Sequence, residues 1–141
     1  MKYKKIKFII LMALLMLVFF LLNIQDHLIT LLVSSILIDV LLGTYIAAIL
    51  KKSPNNDSGE LTSSYGYIGL VKKFSILAMV WIGYEIDLAF NIGTCKNLIA
   101  VGYLINEIIS INENITIIGV KKNAAIAKVI DIIDSLYKKI G

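Results

Sequence analysis

The chain has 141 residues, of which 58% are hydrophobic and 17% charged, and its mean hydropathy is +0.83. A soluble domain carries about 45–50% apolar and about 25% charged residues, so the composition excludes both an ordinary soluble enzyme and a disordered polar chain. The net charge of +4 comes entirely from lysine, with no arginine. Those lysines flank apolar runs instead of forming one basic face, so no nucleic-acid partner is expected. A single cysteine, Cys95, permits no internal disulfide.

The first apolar run, Phe8 to Leu22, follows Lys2, Lys4, Lys5 and Lys7. It has the length of a signal-peptide core, but Asn23-Ile24-Gln25-Asp26-His27 follows without the small residues of a cleavage site. A retained span over about 8–24 is therefore expected, with lysine snorkelling making up its length. The second run, Leu28 to Leu50, is long enough to cross a hydrocarbon layer of about 30 Å. Residues 51–73 hold the only proline, Pro54, with charges and turn formers, and predict a solvated loop. A third span is expected over 74–92, and Asn91–Asn97 reads as a tight connection. A fourth, over 98–114, has the shortest apolar core, Leu98 to Ile111, a length that equally suits a re-entrant segment. In the tail, 123–139, Ile126, Val129, Ile130, Ile133, Leu136 and Tyr137 recur at helical spacing opposite Lys128, Asp131, Asp134, Ser135 and Lys138. The pattern predicts an amphipathic helix. The fold expected is a single all-α membrane domain: a bundle of four transmembrane helices, three being the alternative, plus the amphipathic tail.

Lysine placement predicts the topology. With four spans, thirteen of the fourteen lysines fall on one side and Lys96 alone on the other. The positive-inside rule then puts both termini in the cytoplasm of a bacterial plasma membrane. Lys51, Lys52, Lys72, Lys73, Lys121 and Lys122 are the expected contacts with anionic headgroups.

Ionisable residues within spans are costly and default to function. Here they are Asp39, Glu85, Asp87 and Glu107. Ser35, Asp39, Gly43 and Ala47 recur every four residues on the second span, Gly83, Asp87 and Asn91 on the third, and Gly102, Asn106, Ser110 and Asn114 on the fourth. Such small and polar stripes let membrane helices approach and hydrogen-bond. They are candidates for helix packing within one chain, for contacts between copies in a homo-oligomer, or for lining water. No lysine stands inside the expected spans to pair with the acids, which predicts that they are protonated, bonded to Asn and Ser, or facing water.

Catalytic constellations, metal-ligand sets and cofactor motifs are not expected. His27 is the only histidine and reads as a turn residue, Cys95 lacks a helping base, and Gly66-x-x-Gly69 lacks the context of a phosphate loop.

Three patches, in order, resemble the small phage-lysis and clostridial toxin-secretion holins. They are Asp39-Val40-Leu41-Leu42-Gly43-Thr44-Tyr45-Ile46-Ala47-Ala48, Ser63-Ser64-Tyr65-Gly66-Tyr67-Ile68-Gly69-Leu70-Val71-Lys72-Lys73, and Asn106-Glu107-Ile108-Ile109-Ser110-Ile111-Asn112-Glu113-Asn114. The likeness covers about Leu28 to Tyr137. Leu42 stands where the family commonly has threonine, and Ile108 where it has a small residue. The resemblance implies a non-enzymatic membrane protein that oligomerises and opens lesions, through which a cell-wall hydrolase or a large toxin leaves the cell. The same polar residues also suit a small selective channel or transporter, and the lysines a membrane-anchored adaptor for a soluble partner.

Overall fold

The computed structural model describes residues 7, 11, 14, 18, 25–54, 63–120 and 124–140. All regular structure among them is helical. The expected first span lies almost wholly outside the described residues; Lys7, Leu11, Leu14 and Val18 have helical backbone.

Helix α1 runs His27–Tyr45 and continues as a wider π turn, Ile46–Leu50. Its start is fixed by Asp26, whose carboxylate accepts the Leu28 and Ile29 amides at 3.1 and 3.2 Å. That satisfies two of the donors a helix N-terminus leaves open. Its end is marked by Lys51, whose left-handed backbone (φ 52°) turns the chain out of the helix.

Helix α2, Ser63–Phe90, begins eleven residues before the expected run at Phe74. The loop predicted over 51–73 is thus corrected, since its second half is helix. Tyr65, Tyr67, Ile68, Leu70 and Val71 carry apolar character back through this part of the sequence, and the polar Ser, Gly and Lys between them interrupt the apolar run. The tight connection follows as predicted: Asn91 and Gly93 take positive φ, 52° and 83°, which Asn and Gly tolerate best.

Helix α3, Cys95–Ile118, ends in a Schellman turn. Gly119 sits at φ 105°, its amide donating to the Thr116 carbonyl at 3.1 Å and that of Val120 to Ile115 at 3.2 Å. Helix α4, Ala124–Ile140, is the amphipathic helix the spacing predicts.

α3 is the hub. It packs against α1, α2 and α4, while α1 and α2 touch only slightly. Lys96 meets Asp26 at one end and Ser110 meets Asp39 further along, so α1 and α3 run parallel. α2 and α4 are antiparallel to α3: Lys73 meets Glu107, and the Tyr137 ring packs over Gly102, 3.7 Å from where a Cβ would stand. Ile29, Leu32, Val33 and Ile36 of α1, Leu77 and Val80 of α2, and Ala100 and Leu104 of α3 form the apolar core.

Much apolar surface stays uncovered. Leu41, Ile49, Leu88 and Phe90 are each more than 60% exposed, and Leu31, Trp81 and Ile82 about half. Patches on this scale mark contact with a partner or with lipid. Among the described residues two helices, His27–Leu50 and Gly66–Phe90, are long and apolar enough to cross a bilayer.

Candidate functional site

Three helices converge on one buried polar cluster. Asp39, at mid-length of α1, is 7% exposed, and Glu107, at mid-length of α3, is 3% exposed. Between them lies Lys73 of α2, whose ammonium is 2.8 Å from Asp39 Oδ2 and 2.5 Å from Glu107 Oε2. The second Asp39 oxygen accepts from Ser110 Oγ at 2.6 Å and from Asn114 Nδ2 at 2.9 Å.

The helix periodicity explains why these groups meet. Lys73 shares a face of α2 with Leu77 and Val80, four and seven residues on, and both are buried against α3. Glu107, Ser110 and Asn114 follow one another at three- and four-residue steps on α3, so one face serves both Lys73 and Asp39. A cleft of about 610 Å³ reaches the cluster, lined by Asp39, Gly43, Lys73, Ser110, Glu113 and Asn114 among others.

This geometry overturns two expectations. Lys73 was expected at the membrane surface, yet it turns inward, while its neighbour Lys72 is exposed. The acids were expected to lack a basic partner, and Lys73 supplies one to both. A lone Asp or Lys at the centre of a membrane helix costs about 2.5–3.5 kcal/mol on insertion scales. Mutual pairing and hydrogen bonding offset that cost.

The other candidate positions divide. Ser35 and Ala47 are buried, Ser35 donating to its own helix at Leu31 (2.9 Å), and Gly43 lies beside Asn114, so the α1 stripe packs within the chain. Gly83 lets α3 approach: a Cβ there would come within 3.1 Å of Lys96 Cα and 2.8 Å of Ile99 Cδ1. Asp87 caps α3, accepting the Cys95 and Lys96 amides at 2.8 and 2.9 Å. Asn91 forms the turn, and Gly102 accommodates Tyr137. Glu85 and Asn106 are exposed. Lys51 and Lys52 are exposed just after the π turn, and Lys121 and Lys122 lie outside the described residues.

A second charged contact sits at the N-terminal ends of α1 and α3, where Lys96 pairs with Asp26. Partial burial pushes the Asp26 carboxyl up, but Lys96 and the capping amides outweigh it and hold it below the usual value.

One comparison with known proteins gives a family. The bacteriophage holin family matches residues 16–135. Uncharacterized proteins of Listeria monocytogenes and Listeria innocua are each 33% identical over 105 residues, covering 74% of this chain and 73% of theirs. No solved structure matches. With apolar helices long enough to span a bilayer and a family match over most of its length, the chain is a holin-like membrane protein and belongs to the bacteriophage holin family.

Proposed function

We propose that the chain oligomerises in the bacterial cytoplasmic membrane and opens a lesion through which a cell-wall hydrolase or a large protein toxin leaves the cell. The family match over residues 16–135 carries this reading. The broad apolar surface of α1 and α2 supports it, being suited to lipid and to other copies. The pairing of Asp39 and Glu107 with Lys73 leaves less ground for a selective channel, since these carboxylates are already occupied.

In this reading α1, α2 and α3 cross the bilayer, as does the segment over 8–24. α3 has 24 residues, about 36 Å of helix. The lysine-rich start, the connection between α1 and α2, and the turn after α3 face the cytoplasm, and Asn91–Thr94 faces out. Lys51 and Lys52, with Lys121 and Lys122, contact anionic headgroups there.

Induced expression of the full chain in bacteria tests the function. Collapse of the membrane potential is expected, followed by lysis when a cell-wall hydrolase is expressed with it. An undisturbed potential at high membrane abundance overturns the reading. Release of the hydrolase without the toxin, or the reverse, identifies the cargo.

A further inference from the structure

Helix α4 presents three distinct sectors. Ile126, Ile130, Ile133 and Tyr137, at steps of four, three and four, include the contact with α3, and Tyr137 lies over Gly102. Val129, Ile132 and Leu136 form a second, apolar sector, and each is about half exposed. Lys128, Asp131, Ser135 and Lys138, at steps of three, four and three, form a charged sector turned away from α3. Asp134 stands at its edge and pairs with Lys138 at 2.8 Å. An amphipathic helix lying on a membrane surface needs only two faces, one apolar and one polar.

The direction of α4 matters as much as its faces. It turns back at the Gly119 cap and runs antiparallel to α3, which brings Tyr137 to the level of Gly102, seven residues from the start of α3. If α3 crosses the bilayer, α4 therefore lies beside it through most of the same depth. Its charged sector cannot face hydrocarbon at that depth without a large penalty, and it is not turned toward α1 or α2. Water on that side satisfies it.

We infer that the charged sector of α4, Lys128, Asp131, Ser135 and Lys138, lines the aqueous lumen formed when copies of this chain assemble. This rests on the proposed pore-forming function and assigns the surface that faces the passing solute. It also draws the chain's last residues away from the cytoplasmic end of α3, against the expectation that the tail lies on the inner surface.

Thiol labelling of conducting assemblies tests it. The full chain carrying Cys95→Ser, which keeps the backbone amide that Asp87 accepts, is reconstituted into planar bilayers of phosphatidylethanolamine and phosphatidylglycerol. Single cysteines are then introduced as Asp131→Cys and Ser135→Cys on the charged sector and Val129→Cys and Ile132→Cys on the apolar one. A negatively charged, membrane-impermeant methanethiosulfonate reagent is added while current is recorded. The expected result is loss of current on labelling positions 131 and 135, with no change at 129 and 132. Current that is insensitive at all four positions, or equally sensitive at all four, overturns the lumen assignment and leaves pore formation standing. Absence of any current from the unsubstituted chain overturns pore formation and the assignment with it.

Discussion

Two acid–lysine clusters fasten α3 to its neighbours, one at mid-length and one at the helix ends, and they differ chiefly in burial. At mid-length, Lys73 joins Asp39 and Glu107 among side chains that are at most 16% exposed. At the ends, Lys96 pairs with Asp26 where both are about a quarter exposed, and Asp87 holds the first amides of α3. The chemistry is the same and the expected worth is not. Exposed pairs are screened and contribute little. A buried pair contributes little net, yet removing one partner strands the other charge where it cannot be solvated.

The largest effect is expected where that stranding is greatest. Lys73→Met leaves Asp39 and Glu107 together without a cation, and a loss of about 3–5 kcal/mol is expected in unfolding followed in detergent micelles. Combining it with Asp39→Asn and Glu107→Gln removes the stranded charges and should restore most of that loss. If the triple variant is as unstable as the single one, burial is not the cause of the difference.

Next comes the close approach at the helix ends. Gly83→Ala places a methyl group against the Lys96 backbone, which cannot yield as the Ile99 side chain can, and about 1–3 kcal/mol of destabilisation is expected. Asp87→Ala removes the acceptor for two amides of α3, an effect of about 1 kcal/mol by analogy with lost caps. Amide exchange in Cys95 and Lys96 should rise in that variant while exchange near Glu107 stays unchanged.

The smallest effect is expected at the less buried pair. Lys96→Ala should cost only about 0.2–1 kcal/mol. Because the Asp26 carboxyl is held below its ordinary value of 3.8, its contribution is present above that pH and is lost as pH falls through the lower folded-state value. Lys96→Ala should therefore lower stability by that small amount near neutrality and by progressively less below pH 3.8, which flattens the acid limb of the profile.

Much of the fold follows from apolarity alone. The run from Leu28 to Leu50 became α1 with its π turn, and Asn91 with Gly93 made the turn their types suggest. The tail's spacing located α4 to within a residue at either end. The inward turn of Lys73 was harder to read, because it sits in a Lys-Lys pair beside polar residues, as interfacial lysines do. A signal was nevertheless available: Lys73, Leu77, Val80 and Asp87 occupy related positions on one helical face, whereas Lys72 does not. What the sequence pattern could not carry is which helix each stripe meets. The stripe from Gly102 to Asn114 illustrates this, since Gly102 meets α4, Asn106 is exposed, and Ser110 and Asn114 serve Asp39.

The partnership of α1 with α3, two helices along the chain, has a consequence for biogenesis. Asp39 is synthesised first and finds none of its partners in its own helix. Lys73 follows 34 residues later, and Ser110 and Asn114 follow 71 and 75 residues later. The nascent chain must therefore carry a lone carboxyl group in an apolar segment until the α2–α3 hairpin has emerged. Completion of that hairpin, more than the entry of α1, is the step that commits the protein to its packed form.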